Sequence, residues 1–195
     1  GTSDFGKELD SLTDFVSFGI APSLINYFWT LNQYGKLGWA ITLIYSVCCV
    51  LRLARFNLTK ISDSDQWKQN YFEGIPSPIG AILILTPLIF ELSNFNISFD
   101  LSLIAPYLTV LIALLLISKI PTFSFKKISI QPKVTVFILF GIGISFICIM
   151  FFTFETLFIF SLSYILTIPI SSFTYLKNSK IKNEKLSEED HEDIL

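Results

Sequence analysis

Apolar residues in this chain come in long runs broken by short polar clusters, and run length sets the predicted architecture. A helix crossing the roughly 30 Å hydrocarbon layer of a bilayer takes about 17–25 mostly apolar residues. Six segments approach that length: residues 9–31, 37–57, 75–92, 101–118, 133–153 and 156–176. Short polar turns fall at Asn32-Gln33-Tyr34-Gly35, at Ser93-Asn94-Phe95-Asn96 and around Glu155, the kind that joins antiparallel neighbours. Pro76, Pro78 and Pro87 punctuate the third segment; the first two suit a helix start, and Pro87 predicts a kink. The predicted fold is all-α, a polytopic transmembrane helix bundle with six spans in these residues. Beyond residue 176 the pattern changes. Lys177, Lys180, Lys182 and Lys185 precede Ser187-Glu188-Glu189-Asp190-His191-Glu192-Asp193. That stretch cannot bury a core, so residues 177–195 are expected as a disordered, solvated tail on a membrane domain of residues 1–176.

Composition agrees with the pattern. Of 195 residues, 52% are hydrophobic and 15% charged, with 20 Phe against a single Met and a single His, as in a chain that faces lipid. The first residues are polar and carry no signal-peptide pattern. Cys48, Cys49 and Cys148 lie in apolar runs with neither metal-ligand nor disulfide spacing, and are expected as buried thiols. His191, set among acids, is expected as an ordinary exposed histidine. Charge placement says more than the net charge of −2. With the Asp10 end cytoplasmic, Lys36 is the only one of 14 Lys and Arg residues left outside. Lys7, Lys60, Lys68, Lys119, Lys126, Lys127, Lys133 and the tail lysines fall inside, as do Arg52 and Arg55, while Glu91, Asp100 and Glu155 lie on the other side. The chain is thus expected in a cytoplasmic membrane, with its tail in the cytoplasm. No nucleic-acid partner is expected.

The candidate chemistry sits near the N-terminus. Gly6, Asp10 and Asp14 recur every four residues, which on a helix makes one stripe of bare backbone and two carboxylates. Apolar residues follow directly from Phe15. Acids at a helix N-terminus gain about 0.3–1 kcal/mol each from the dipole. That accounts for acids in a first turn, but not for Asp14 leading into an apolar run. Carboxylates at the mouth of a membrane helix are costly to desolvate, and are usually held by a cation or used for proton transfer. Glu8 falls off the stripe and is expected to be solvated. The second span returns to end at the same depth with Arg52 and Arg55, three apart and so on one face. Alone these arginines suit snorkelling anchors. Beside two carboxylates they suit a phosphate-bearing substrate with a hard divalent cation.

The stretch Gly6-x3-Asp10-x3-Asp14 resembles the second half of the CDP-alcohol phosphatidyltransferase signature, D-G-x2-A-R-x8-G-x3-D-x3-D. Three further segments resemble those of the family's bacterial phosphatidylserine synthases: Asp14-Phe15-Val16-Ser17-Phe18-Gly19-Ile20-Ala21-Pro22, Leu51-Arg52-Leu53-Ala54-Arg55-Phe56-Asn57 and Glu73-Gly74-Ile75-Pro76-Ser77-Pro78-Ile79-Gly80-Ala81. The resemblance runs from the start of the chain to about residue 81. It implies that the first half of the signature lies on two further helices upstream, and that these 195 residues alone are inactive. It also implies phosphatidyl transfer from CDP-diacylglycerol to an alcohol, with CMP released and Mg²⁺ or Mn²⁺ as cofactor. Asp10 and Asp14 would be metal ligands, Asp14 also the general base, and Gly6 the point of nucleotide approach. L-serine is the implied acceptor, bound by Arg52 or Arg55 with Asn57 nearby. Glycerol 3-phosphate or inositol phosphate is the alternative acceptor, though either would call for more basic residues. A non-enzymatic ion-binding membrane protein is a second alternative, disfavoured by the almost purely apolar last three spans. A homodimer is compatible with the apolar helices, and Gly141-Ile142-Gly143 would allow close helix packing.

Overall fold

The computed structural model describes residues 4–58, 71–95, 101–118, 120–123 and 132–192, and is almost entirely helical. The first helical run has three parts: α1 (Asp4–Asp14), a π-helical turn (Phe15–Ile20) and α2 (Ala21–Trp29). The backbone stays right-handed through Asp14 and Ala21, and Ala21 N–H reaches back five residues to Val16 O. A 3₁₀ turn (Leu31–Tyr34) and Gly35, at φ 55°, reverse the chain into α3 (Lys36–Leu58). Then follow α4 (Ser77–Glu91), α5 (Ala105–Ile117), α6 (Pro132–Phe151) and α7 (Thr153–Glu192). The all-α expectation meets one small exception. Strands β1 (Tyr71–Glu73) and β2 (Pro121–Phe123) pair antiparallel, Phe72 opposite Thr122.

Helical runs thus stand at all six expected places, with changed lengths. Lys36–Asn57 and Thr153–Ser171 are long and apolar enough to cross a bilayer, whereas Ser77–Glu91, Ala105–Ile117 and Thr135–Phe151 are shorter apolar helices. The fourth segment starts as a 3₁₀ turn (Leu101–Leu103), and α5 begins only at Ala105 with Pro106 in its first turn. Its 13 residues rise about 20 Å. Pro87 lies buried inside α4 without ending it. The break expected around Glu155 falls instead at Phe152, which puts Glu155 in the first turn of α7, where its charge meets the positive helix end. The segment expected as a disordered tail continues α7 to Glu192. Its spacing supports this, since Lys180 and Glu184, and Lys185 and Glu189, are four apart and opposite in charge. Lys60, Lys68, Lys119, Lys126 and Lys127 lie outside the described residues, as do the side chains of Lys133, His191 and the tail lysines.

The core is built where α3, α4 and α5 meet. Tyr45, Cys48 and Cys49 pack with Ile75, Leu83, Ile84, Ile112, Ala113 and Leu116. Cys48 and Cys49 are buried as expected, Cys148 only partly, and all three are free thiols. By contrast α6 packs on α7 and carries open apolar side chains, with Phe137 78% and Phe151 79% exposed. A Cβ at Gly141 or Gly143 would meet nothing within 4 Å, so those glycines bring no described helix close. Hydrogen bonds sort the helix ends into two layers. Asn57–Ser11, Arg52–Ser77 and Arg55–Ile117 join the last turn of α1, the end of α3, the start of α4 and the end of α5. At the opposite end Trp29 Nε1 donates to Glu91 Oε2 at 3.0 Å, and Asn94 donates twice to Glu155 Oε1 at 2.8 and 3.1 Å. The chain therefore runs up and down, as the apolar pattern predicts.

Candidate active site

Because α1 is one unbroken helix, Gly6, Asp10 and Asp14 do share a stripe. Asp10 is exposed and Asp14 half-buried, while Glu8 is exposed off the stripe. The π turn begins immediately after Asp14. Such bulges shift the hydrogen-bond ladder and often mark functional sites. Here the shift exposes carbonyls that α3 satisfies. Pro22 has no N–H, so it cannot bond Phe18 O four residues back. Tyr45 Oη donates to that carbonyl at 3.0 Å. Ser46 Oγ lies 3.3 Å from Gly19 O and 3.0 Å from Ser23 Oγ, which itself donates to Ile20 O at 2.9 Å. Gly19 permits this close approach, since a Cβ there would come within 3.3 Å of Cys49 Cβ and 2.8 Å of the Phe15 ring.

The clamp sets one turn of α3 beside Asp14. Cys49, a buried free thiol, faces Gly19 across the α3 contact and lies one turn before Arg52. Arg52 Nη1 donates to Ser77 Oγ at 3.2 Å, and Arg52 Nε is buried without a hydrogen-bond partner. Arg55 takes another direction. Its Nη1 donates at 2.8 Å to Ile117 O, the last carbonyl of α5, where a cation also meets the negative helix end. Asn57 Nδ2 donates at 2.8 Å to Ser11 Oγ, between the two carboxylates on α1. Of the residues named from sequence, Arg52 meets Ser77 at the start of α4, Arg55 meets the end of α5, and Asn57 ties α3 to the carboxylate helix.

Ser77 escaped sequence reading because it occupied only a variable position between Pro76 and Pro78. Its signal was a small hydroxyl held between two rigid residues ahead of an apolar run. The structure explains the surrounding motif. Gly74 has φ +73°, its N–H bonds Ile120 O at 2.9 Å, and Ile75 N–H bonds Leu115 O at 3.4 Å. Farther along, a Cβ at Gly80 would come 3.1 Å from Leu116 Cδ2 and 3.5 Å from Tyr45 Oη, so the motif's second glycine seats α4 against α3 and α5.

Two aspartates one turn apart supply the oxygen donors that hard divalent cations prefer, so this donor set fits Mg²⁺ or Mn²⁺ in kind. It does not fill a coordination shell. Among the described residues, no group of three His, Cys, Asp or Glu gathers to hold a metal ion. Next to the carboxylates an open apolar groove of about 430 Å³ runs between the first helical run and α3, lined by residues including Phe15, Leu24, Trp39, Leu43, Val47 and Leu51.

Comparison with known proteins places this geometry in a family. The sequence profile of the CDP-alcohol phosphatidyltransferases matches residues 1–117, which hold the carboxylate stripe, both arginines and Ser77. A CDP-diacylglycerol–serine O-phosphatidyltransferase of Helicobacter pylori is 33% identical over 146 residues, 75% of this chain and 60% of that protein. Those of Mycobacterium leprae and Methanocaldococcus jannaschii are 36% and 37% identical, over 67% and 60% of this chain and 43% and 49% of their own lengths. The chain thus spans about 60% of the Helicobacter relative and about half or less of the other two. By the match to its first 117 residues, this chain belongs to the CDP-alcohol phosphatidyltransferase family.

Proposed function

We propose that the protein transfers a phosphatidyl group from CDP-diacylglycerol to the hydroxyl of L-serine, forming phosphatidylserine and releasing CMP. One observation carries this reading: Asn57 Nδ2 donates at 2.8 Å to Ser11 Oγ, so the end of α3 that bears Arg52 and Arg55 meets α1 between its two carboxylates. A proton acceptor and anion-binding cations then belong to one end of the bundle, as transfer to an amino-acid hydroxyl needs. The relatives carrying that activity by name support the choice of acceptor.

In the proposed reaction Asp14 takes the proton of the serine hydroxyl, whose oxygen attacks the phosphatidyl phosphorus. The bond from that phosphorus to the oxygen of CMP breaks, and CMP departs with the electron pair. A carboxylate within hydrogen-bond reach contributes about 10²–10⁴-fold to such a step. Asp10 and Asp14 would hold Mg²⁺ or Mn²⁺ together with acids from the first half of the signature, and the bound metal would supply charge neutralisation at the diphosphate and its leaving group. Gly6 leaves α1 bare where the cytidine nucleotide approaches. Arg52, Arg55 and Asn57 form the acceptor side, and the apolar groove beside Phe15 suits an acyl chain of the lipid substrate.

The proposal extends to the whole protein. Two upstream helices complete the signature, six spans cross a bacterial cytoplasmic membrane in the residues described above, and the site and charged C-terminal segment (177–195) face the cytoplasm, the latter a unit distinct from the membrane domain of residues 1–176. Two copies can pair through apolar helix faces. The test is CMP release by full-length protein in micelles containing CDP-diacylglycerol, L-serine and Mn²⁺ or Mg²⁺. Release is expected to require both serine and metal, and to fall at least about 100-fold in Asp14→Asn. Release that ignores serine would refute the acceptor, and full activity in Asp14→Asn would refute the base.

A further inference from the structure

Arg52 and Arg55 are indistinguishable in sequence, three residues apart on one helix, yet their surroundings differ in kind. Arg55 is engaged by α5 through Ile117 O, a backbone carbonyl that holds the helix end whether or not a substrate is bound. Asn57 is engaged by Ser11 of α1. Arg52 contacts a small neutral hydroxyl instead, and its buried Nε has no hydrogen-bond partner. A guanidinium carries five donors in a planar fork suited to a carboxylate or phosphate. Leaving one of them buried and unmet costs free energy, which an arriving oxyanion would recover.

We infer that Ser77 is a positioning residue for the acceptor subsite: its hydroxyl holds the Arg52 fork so that the remaining donors receive the carboxylate of the amino-acid acceptor. This rests on the activity proposed above and assigns its specificity. The hydroxyl is itself held. It accepts from Arg52 Nη1 at 3.2 Å. Ser77 is 1% exposed at the start of α4, between two prolines of restricted φ, with the backbone before it bonded to Leu115 and Ile120. The Glu73–Ala81 motif therefore delivers one hydroxyl to one place. Arg55 and Asn57 keep the helices around that place in register.

The test compares kcat/KM for L-serine with that for 2-aminoethanol, the same acceptor without its carboxylate, in full-length protein. Serine-dependent CMP release from the unsubstituted protein is established first, and its absence overturns the activity itself rather than the role of Ser77. Ser77→Ala is expected to raise KM for serine about tenfold, lower the serine-to-aminoethanol ratio by a similar factor, and leave KM for CDP-diacylglycerol within about twofold. Ser77→Thr, which keeps the hydroxyl, is expected to retain most of the ratio. Arg52→Lys, which keeps the charge but loses the fork, is expected to lower the ratio and provides the same readout should Ser77→Ala fail to fold. A uniform loss of rate with both acceptors would make Ser77 merely structural and overturn the inference. A rise confined to KM for CDP-diacylglycerol would assign Arg52 to a phosphate and overturn it equally.

Discussion

Replacing Gly74 by alanine tests how the entry to α4 is held. Gly74 has φ +73°, and a Cβ there would meet three backbone carbonyls, Leu116 O and Ser118 O at 2.9 Å and Leu115 O at 3.0 Å. None of these belongs to a side chain that could swing aside. The left-handed backbone alone costs an alanine about 1–2 kcal/mol. Pushing the end of α5 away adds a cost of the overpacking kind, about 1–3 kcal/mol. The smaller entropy of the unfolded alanine chain returns about 0.4–1 kcal/mol. The net expectation is a loss of roughly 1–4.5 kcal/mol, measured as unfolding free energy by denaturant titration in micelles. Because the displaced segment carries Ile75, which shares a core cluster with Cys49, maleimide labelling of that fully buried thiol should accelerate in parallel. Gly141→Ala is the control: its Cβ meets open space within a helix, so its effect should stay within about 1 kcal/mol and favour the helix. A Gly74→Ala protein as stable as the parent, with unchanged Cys49 labelling, would refute the claim that this turn is held against α5.

Two smaller perturbations probe the bundle. Tyr45→Phe removes the donor to Phe18 O, which Pro22 leaves without its helical partner; a loss of about 1–2 kcal/mol in unfolding free energy is expected, and an unchanged value would mean another donor serves that carbonyl. The buried Asn26 Nδ2 donates to Thr109 Oγ1 at 2.8 Å while Asn26 Oδ1 has no partner. Thr109→Val should therefore cost about 1–3 kcal/mol by stranding the amide, and the Asn26→Ala/Thr109→Val double mutant should lose less than the sum of the two single mutants, whereas additive losses would mean the pair does not interact.

The positions of the helices were legible in the sequence because hydropathy is local: a run of apolar residues states its length wherever the chain goes. The carboxylate stripe was equally legible, since Asp10 and Asp14 share a face on any unbroken helix. The expected meeting of α1 with the end of α3 followed from counting passes across a bilayer, and the Asn57–Ser11 bond bears it out. Local signals failed where competing preferences settle a boundary. Residues 101–104 read as apolar helix, but the chain turns once as a 3₁₀ segment before Pro106 opens α5, and charge density alone does not reveal that residues 177–192 continue α7.

The division of labour between Arg52 and Arg55 belongs to the tertiary structure alone. Two arginines on one face have the same sequence signature, and only the neighbours brought by α4 and α5 separate them: a serine hydroxyl for one, a helix-terminal carbonyl for the other. The π turn after Asp14 is of the same kind. Its setting is not local, because the donor that reaches Phe18 O is Tyr45, 27 residues later. The sequence by itself determined which residues could carry charge at one end of a membrane-length helix bundle. Which charges converge was decided by packing, since hydrogen bonds between distant segments fix helix register and a side chain's partner depends on register to within one residue.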